Sequence, residues 1–219
     1  MPLKLTTLLI TGALMGLPGG GQELTPFGES FESRGFEPIA DEDGVRVYKH
    51  RESEIIRLAA EGRVAAPPAA VRQALLAYEK QPGVIERVSQ TRILSRGEDR
   101  ILVYQRLNLP VIDDRDYTVW VTWGDSNEVQ WIRYWLAPNR GPGKQEDAVR
   151  VPHHQGSWQL TPINGGSATL LRYQVSIDMG GLVPRWMAKA AAGDEVPAVY
   201  SDICRVLAAQ GKEPELCLL

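Results

Sequence analysis

Residues 180–210, GGLVPRWMAKAAAGDEVPAVYSDICRVLAAQ, constrain the fold more than any other stretch, because only here does the chain beyond its apolar start have room for a long covering helix. Pro184 suits a first helical turn, where its missing N–H has no partner to lose, and the Gly180-Gly181 pair lets the chain swing in from a preceding strand. The helix is therefore predicted to start near Val183. Val196, Val199, Tyr200, Ile203, Val206 and Leu207 recur at spacings of three and four, which puts them on one apolar face. That face needs a partner, and the only large one is the run of alternating strands before it. A helix lying across a curved antiparallel sheet follows. Gly193 and Pro197 interrupt the pattern, which predicts a break near 193–196 between two rods, 184–192 and 197–209.

The strands are read from period-two alternation. Residues 44–50, GVRVYKH, set Val45 and Val47 against Arg46 and Tyr48. A second strand covers 55–64, with Gly62 marking a bulge or a close approach. Pro67-Pro68 then opens a short helix whose stripe is Val71, Leu75 and Tyr78. From residue 84 the chain reads as strands over 85–95, 101–109, 117–123, 129–137, 150–161 and 168–179. Turn-forming stretches such as Gly124-Asp125-Ser126-Asn127 and Asn164-Gly165-Gly166 separate them. The expectation is an α+β fold: about eight antiparallel strands curled around a long C-terminal helix and enclosing a hydrophobic cavity.

The 219 residues suit one large domain, and a formal net charge of −3 argues against a nucleic-acid surface. Lys4 followed by an uncharged apolar run and then Pro18 and Gly19–Gly21 reads as a secretory signal over 1–21, too short to span a bilayer. An exported, periplasmic or secreted protein is the expectation. Residues 22–42 read as an arm or short helix, 43–211 as the domain and 212–219 as a tail. The two cysteines, Cys204 and Cys217, could form a disulfide that staples the tail to the helix. No metal-ligand spacing, phosphate-binding loop or nucleophile motif is present, and no cofactor or metal is expected.

Two strands carry apolar residues on both faces. Over 129–137, Trp131, Arg133 and Trp135 oppose Gln130, Ile132, Tyr134 and Leu136; over 116–123, Asp116, Thr118 and Trp120 oppose Tyr117, Val119 and Val121. Six Trp and seven Tyr suit a cavity wall, since both bring apolar area with a polar edge, though they would equally fill a packed core. Polar residues on apolar segments favour the cavity: Arg106, Glu86 and Arg133. An arginine taken out of water needs a partner, and Glu86 or Asp116 is the expected counter-charge of Arg106, a pair that could receive the polar group of a lipid.

These segments, in this order, resemble the START-type lipid-transfer domains of the helix-grip superfamily. The resemblance runs through GVRVYKH, the Pro-led helix, LNLPVIDDRDYTVWVTW at 107–123 with its Arg115-Asp116-Tyr117 step, GSWQLTPI at 156–163, TLLRYQVSIDMGG at 169–181 and VPRWMAKAAAGDEVP at 183–197. It implies a non-catalytic carrier, expected as a monomer, that holds one hydrophobic ligand such as a sterol, phospholipid or fatty acid and touches a membrane transiently. Glu86, Arg106, Asp116, Trp120, Arg133, Trp135 and Tyr173 are then the candidate ligand contacts, with Leu182, Val183, Trp186 and Met187 at the entrance. The loops over 111–114 and 139–143 and the Gly180-Gly181 pair become candidate gates.

Two readings compete. One is a polyketide aromatase/cyclase-like enzyme using the same cavity, for which converging polar side chains would be the mark. His153-His154 is the tempting pair, but strand neighbours point to opposite faces, and both are read as exposed strand-end histidines. The other is an interaction module whose interior is simply packed.

Overall fold

The computed structural model describes residues 29–51, 55–85, 87–182, 195–211 and 217–218. Its elements run β1 (Phe36–Glu42), β2 (Val45–His50), β3 (Ile56–Val64), α1 (Pro68–Leu75), β4 (Val88–Arg96), β5 (Arg100–Leu107), β6 (Asp114–Ser126), β7 (Val129–Leu136), β8 (Ala148–Arg150), β9 (His153–Ile163), β10 (Ala168–Asp178) and α2 (Glu195–Ala209). One ten-stranded sheet has the order β1-β2-β3-β10-β9-β7-β6-β5-β4, antiparallel between neighbours, with β8 added in parallel beside β6.

The sequence accounts for both strands beyond the expected eight. β1 lies within the segment read as an arm, and it is closed onto β2 by Asp43-Gly44, both at positive φ (49° and 75°), the conformation that a tight two-residue hairpin requires. The stretch read as one strand over 150–161 divides at Pro152, which lies between β8 and β9 and has no N–H to give a ladder. The remaining boundaries fall within a few residues of the alternation pattern. Asn164, Gly165 and Gly166 all take positive φ in the turn joining β9 to β10.

Both helices lie on one face of the sheet, and their apolar sides meet its inward residues in a single core. Val71 and Ala74 of α1 are buried, as are Val196, Tyr200, Ile203, Val206 and Leu207 of α2. Full burial of each larger aliphatic is worth about 1.5–3 kcal/mol, which is what holds α2 to the sheet. Tyr200 donates to the Leu171 carbonyl at 3.0 Å, and its ring passes so close to Gly62 that a Cβ there would lie 2.9 Å from it. Gly62 thus marks a close approach of helix to strand. Pro197 occupies the first turn of α2 as described. The expected start near Val183, the rod over 184–192 and Gly193 lie outside the described residues. Cys204 of α2 is joined by a disulfide to Cys217, with Cα atoms 5.8 Å apart, and Cys217 and Leu218 run beside the end of β3.

Candidate functional site

Between the sheet and the two helices lies a cavity of about 150 Å³. Strand alternation decides what faces it. Gln105 of β5, Tyr117 and Val119 of β6, Tyr134 of β7, His154 and Trp158 of β9 and Tyr173 of β10 all point inward. α1 and the turn after it bring Ala74, Tyr78 and Gln81, and α2 brings Val199, Asp202, Ile203 and Val206.

The polar groups are organised. The hydroxyls of Tyr134 and Tyr173 meet at 3.0 Å. The Tyr173 ring stacks on Trp158, with centroids 4.0 Å apart and planes at 18°. His154 sits between two ring edges, 4.6 Å from Tyr117 and 5.0 Å from Tyr134. Tyr117 donates to Gln105 Oε1 at 3.0 Å, and Gln105 Nε2 donates onward to Gln81 Oε1 at 2.6 Å and Thr91 Oγ1 at 3.2 Å. Burial, the largest influence on each, pushes the Tyr173 phenol up to about 12 and those of Tyr78, Tyr117 and Tyr134 higher still. The same loss of water pulls the His154 imidazole down to about 3, with the neighbouring His153 adding to the effect. At neutral pH all these groups are uncharged. Nδ1 of His154 is buried and has no hydrogen-bond partner among the described residues.

Of the residues expected to contact a ligand, Tyr173 lines the cavity. Arg106, Asp116, Trp120, Arg133 and Trp135 do not: they lie on the outer face of the sheet. Arg106 pairs with Asp114 at 2.5 Å and Asp147 at 2.8 Å, while Asp116 receives Arg150 at 2.7 and 2.9 Å and the Tyr104 hydroxyl at 3.2 Å. The expected Arg106–Asp116 pair is thus replaced by two separate outer networks. Arg100 covers the Trp120 ring and Arg133 the Trp131 ring, and Trp135 is 38% exposed. The cause is parity. Each misplaced residue is one position from an inward one, Gln105, Tyr117, Val119 or Tyr134, and a shift of one flips a strand residue to the other face. His154 also departs from the reading as an exposed strand-end residue, since it lines the cavity. His153 points the other way, to Ser176 at 3.0 Å. Glu86, Val183, Trp186 and Met187 lie outside the described residues.

Arg115 is 1% exposed, and its guanidinium is held by three backbone carbonyls: Met179, Gly180 and Asp113. It therefore ties the 111–114 loop to the end of β10, where Gly180 and Gly181 have φ of 63° and 61°. The next side chain, Leu182, is 94% exposed, and Val111 of the tied loop is 81% exposed. The 139–143 loop is no gate to this cavity, because Arg150 fastens the Pro142 and Gly143 carbonyls to the outer face. Among the described residues no cluster of acidic, histidine or cysteine side chains could hold a metal ion, and no helix is long and apolar enough to cross a membrane.

A curved antiparallel sheet gripping a C-terminal helix over an internal cavity defines the START-type helix-grip fold, and comparison with solved structures agrees. The chain is similar to the STAR-related lipid transfer protein from Xanthomonas axonopodis (TM-score 0.65, 21% identity, 72% of this chain and 90% of that one). It is similar to human STARD10 (TM-score 0.72, 16% identity, 88% and 84%) and to the Zhui aromatase/cyclase from Streptomyces (TM-score 0.50, 16% identity, 71% and 93%). In sequence it is 26% identical over 111 residues to an uncharacterized Pseudomonas aeruginosa protein, and spans about half (54%) of that relative's length. No family model matches the chain.

Proposed function

We propose that this protein holds one small hydrophobic molecule, lipid or lipid-like, in the cavity between sheet and α2, and carries it without chemical change. The observation that carries the reading is the cavity itself, bordered by α2 and walled by Trp158, Val119, Val199 and Ile203. Affinity in such a site comes chiefly from apolar surface removed from water. Val111 and Leu182, two exposed apolar side chains on segments joined through Arg115, would be the first to meet a membrane during exchange. Export to an oxidising compartment is part of the same proposal, supported by the Cys204–Cys217 disulfide and by the signal-like start of the chain. The test is native mass spectrometry after incubation with a mixed lipid extract. A discrete adduct that disappears in a Val199→Trp variant, whose indole fills the cavity, supports the reading. A bare mass for both proteins counts against it.

An aromatase/cyclase-like enzyme is the second reading, favoured by the convergence of the Tyr134–Tyr173 pair and His154 on one space. It ranks below the carrier because proton transfer works best with groups that titrate near the working pH. Burial holds His154 near 3, raises Tyr173 to about 12 and pushes Tyr134 well above the ordinary phenol range.

A further inference from the structure

We propose that the cavity is built for a small uncharged molecule presenting a hydroxyl or carbonyl oxygen, and that it discriminates against the same molecule carrying a carboxylate. This rests on the cavity being a ligand site, as proposed above, and narrows what enters it.

Tyr134 and Tyr173 carry two hydroxyl protons and share one hydrogen bond, so whichever donates, one O–H is left to give. The neighbouring Tyr117 proton is already committed to Gln105, whose amide nitrogen is committed in turn to Gln81 and Thr91. An all-hydrocarbon guest would strand the spare tyrosine proton in a dry site, whereas an acceptor oxygen satisfies it. Stacking on Trp158 fixes the Tyr173 ring, so the spare donor has a defined position.

Among the described lining residues none is Lys or Arg, and one, Asp202, is a carboxylate. Arg205, the basic partner of Asp202 at 2.5 Å, has a side chain 60% exposed, on the solvent side of α2. A carboxylate entering the cavity would give up its hydration for neutral dipoles and a like charge. His154 cannot supply the missing positive charge, because the same dry surroundings keep its ring neutral.

A cavity of about 150 Å³ admits benzene in an engineered apolar case, so this one takes a single ring or a short acyl end with its oxygen. Fatty acids and two-chain phospholipids rank below compact neutral alcohols, phenols and ketones.

The experiment titrates the full chain at pH 7 with three probes of one shape: 4-propylphenol, 4-propylbenzoate and propylbenzene. The phenol is expected to bind about tenfold tighter than either of the others. The double variant Tyr134→Phe/Tyr173→Phe, which removes both hydroxyl protons, is expected to lower phenol affinity about fivefold and leave propylbenzene unchanged, whereas either single variant keeps one O–H to give and retains most of the preference. Benzoate binding as tightly as the phenol overturns the charge argument, and propylbenzene matching the phenol overturns the polar end. In both of those cases the cavity stands as a ligand site. Binding by none of the three removes the cavity reading and this inference together.

Discussion

Tyr134 and Tyr173 join hydroxyls at 3.0 Å although their strands, β7 and β10, are not neighbours: β9 runs between them. The contact is possible because β9 carries Gly156 at that level. A Cβ there would lie 2.3 Å from the Tyr134 oxygen and 2.5 Å from the Gln174 carbonyl. Gly156 is the gap through which one phenol reaches the other. Gly156→Ala is therefore expected to push Tyr134 aside, lowering stability by about 1–3 kcal/mol as overpacking does, and to abolish the selectivity for a hydroxyl-bearing probe. Urea melts and the probe titration read the two effects separately.

The neutral state of His154 gives stability a pH dependence with a definite sign. Its native value lies near 3, below its unfolded value of 6.5, so between those limits the unfolded chain binds the extra proton. The stabilisation is complete above pH 6.5 and is lost as pH falls from 6.5 toward 3. Tyr117 and Tyr134, the rings packed against it, stay protonated throughout that window. His154→Gln is expected to flatten the acid limb by at most about 1.4 kcal/mol per pH unit relative to the parent chain. Equal slopes for the two proteins in urea melts at pH 4, 5 and 6 would contradict this.

Inner and outer faces of β5 make a paired prediction. Gln105→Leu breaks the chain from Tyr117 to Gln81, freeing buried polar groups, and is expected to cost about 1–3 kcal/mol and to weaken binding of the phenol probe. Arg106→Leu, one residue along, removes a partly buried pair with Asp114 and a more exposed one with Asp147, both on the outer face, and is expected to leave probe affinity unchanged. Calorimetric titration of both variants checks the parity directly.

The disulfide closes a separation of 13 residues between α2 and the strand-like end that runs beside β3. Replacing both cysteines by serine is expected to lower stability by about 2–3 kcal/mol, as loops of this length do. Urea melts of the parent chain with and without reductant should reproduce the difference.

Much of the architecture was legible because it depends on local signals. The apolar spacing from Val196 to Leu207 marked the helix that covers the sheet, and Asn164-Gly165-Gly166 marked a hairpin. β1 was missed, although Asp43-Gly44 ahead of Val45 is a hairpin signal that could have found it. The site was harder to read, because it depends on which parity of each strand faces the helices. Outer Trp120 and Trp131, covered by arginines, and exposed Trp135 mimic a cavity wall in sequence. The better guide was the β-branched set: Val119 and Val121 share a face with Tyr117, and Ile132 shares one with Tyr134. Meetings such as Tyr134 with Tyr173 depend on strand order, which no local pattern encodes.

The most direct measurement follows the ring resonances of His154, Tyr134 and Tyr173 by NMR while 4-propylphenol is added to the parent chain and to Val199→Trp. The account predicts saturable shifts centred on these three rings in the parent and none in the variant. Shifts confined to Trp131 and Trp135 on the outer face, or identical shifts in both proteins, would contradict it.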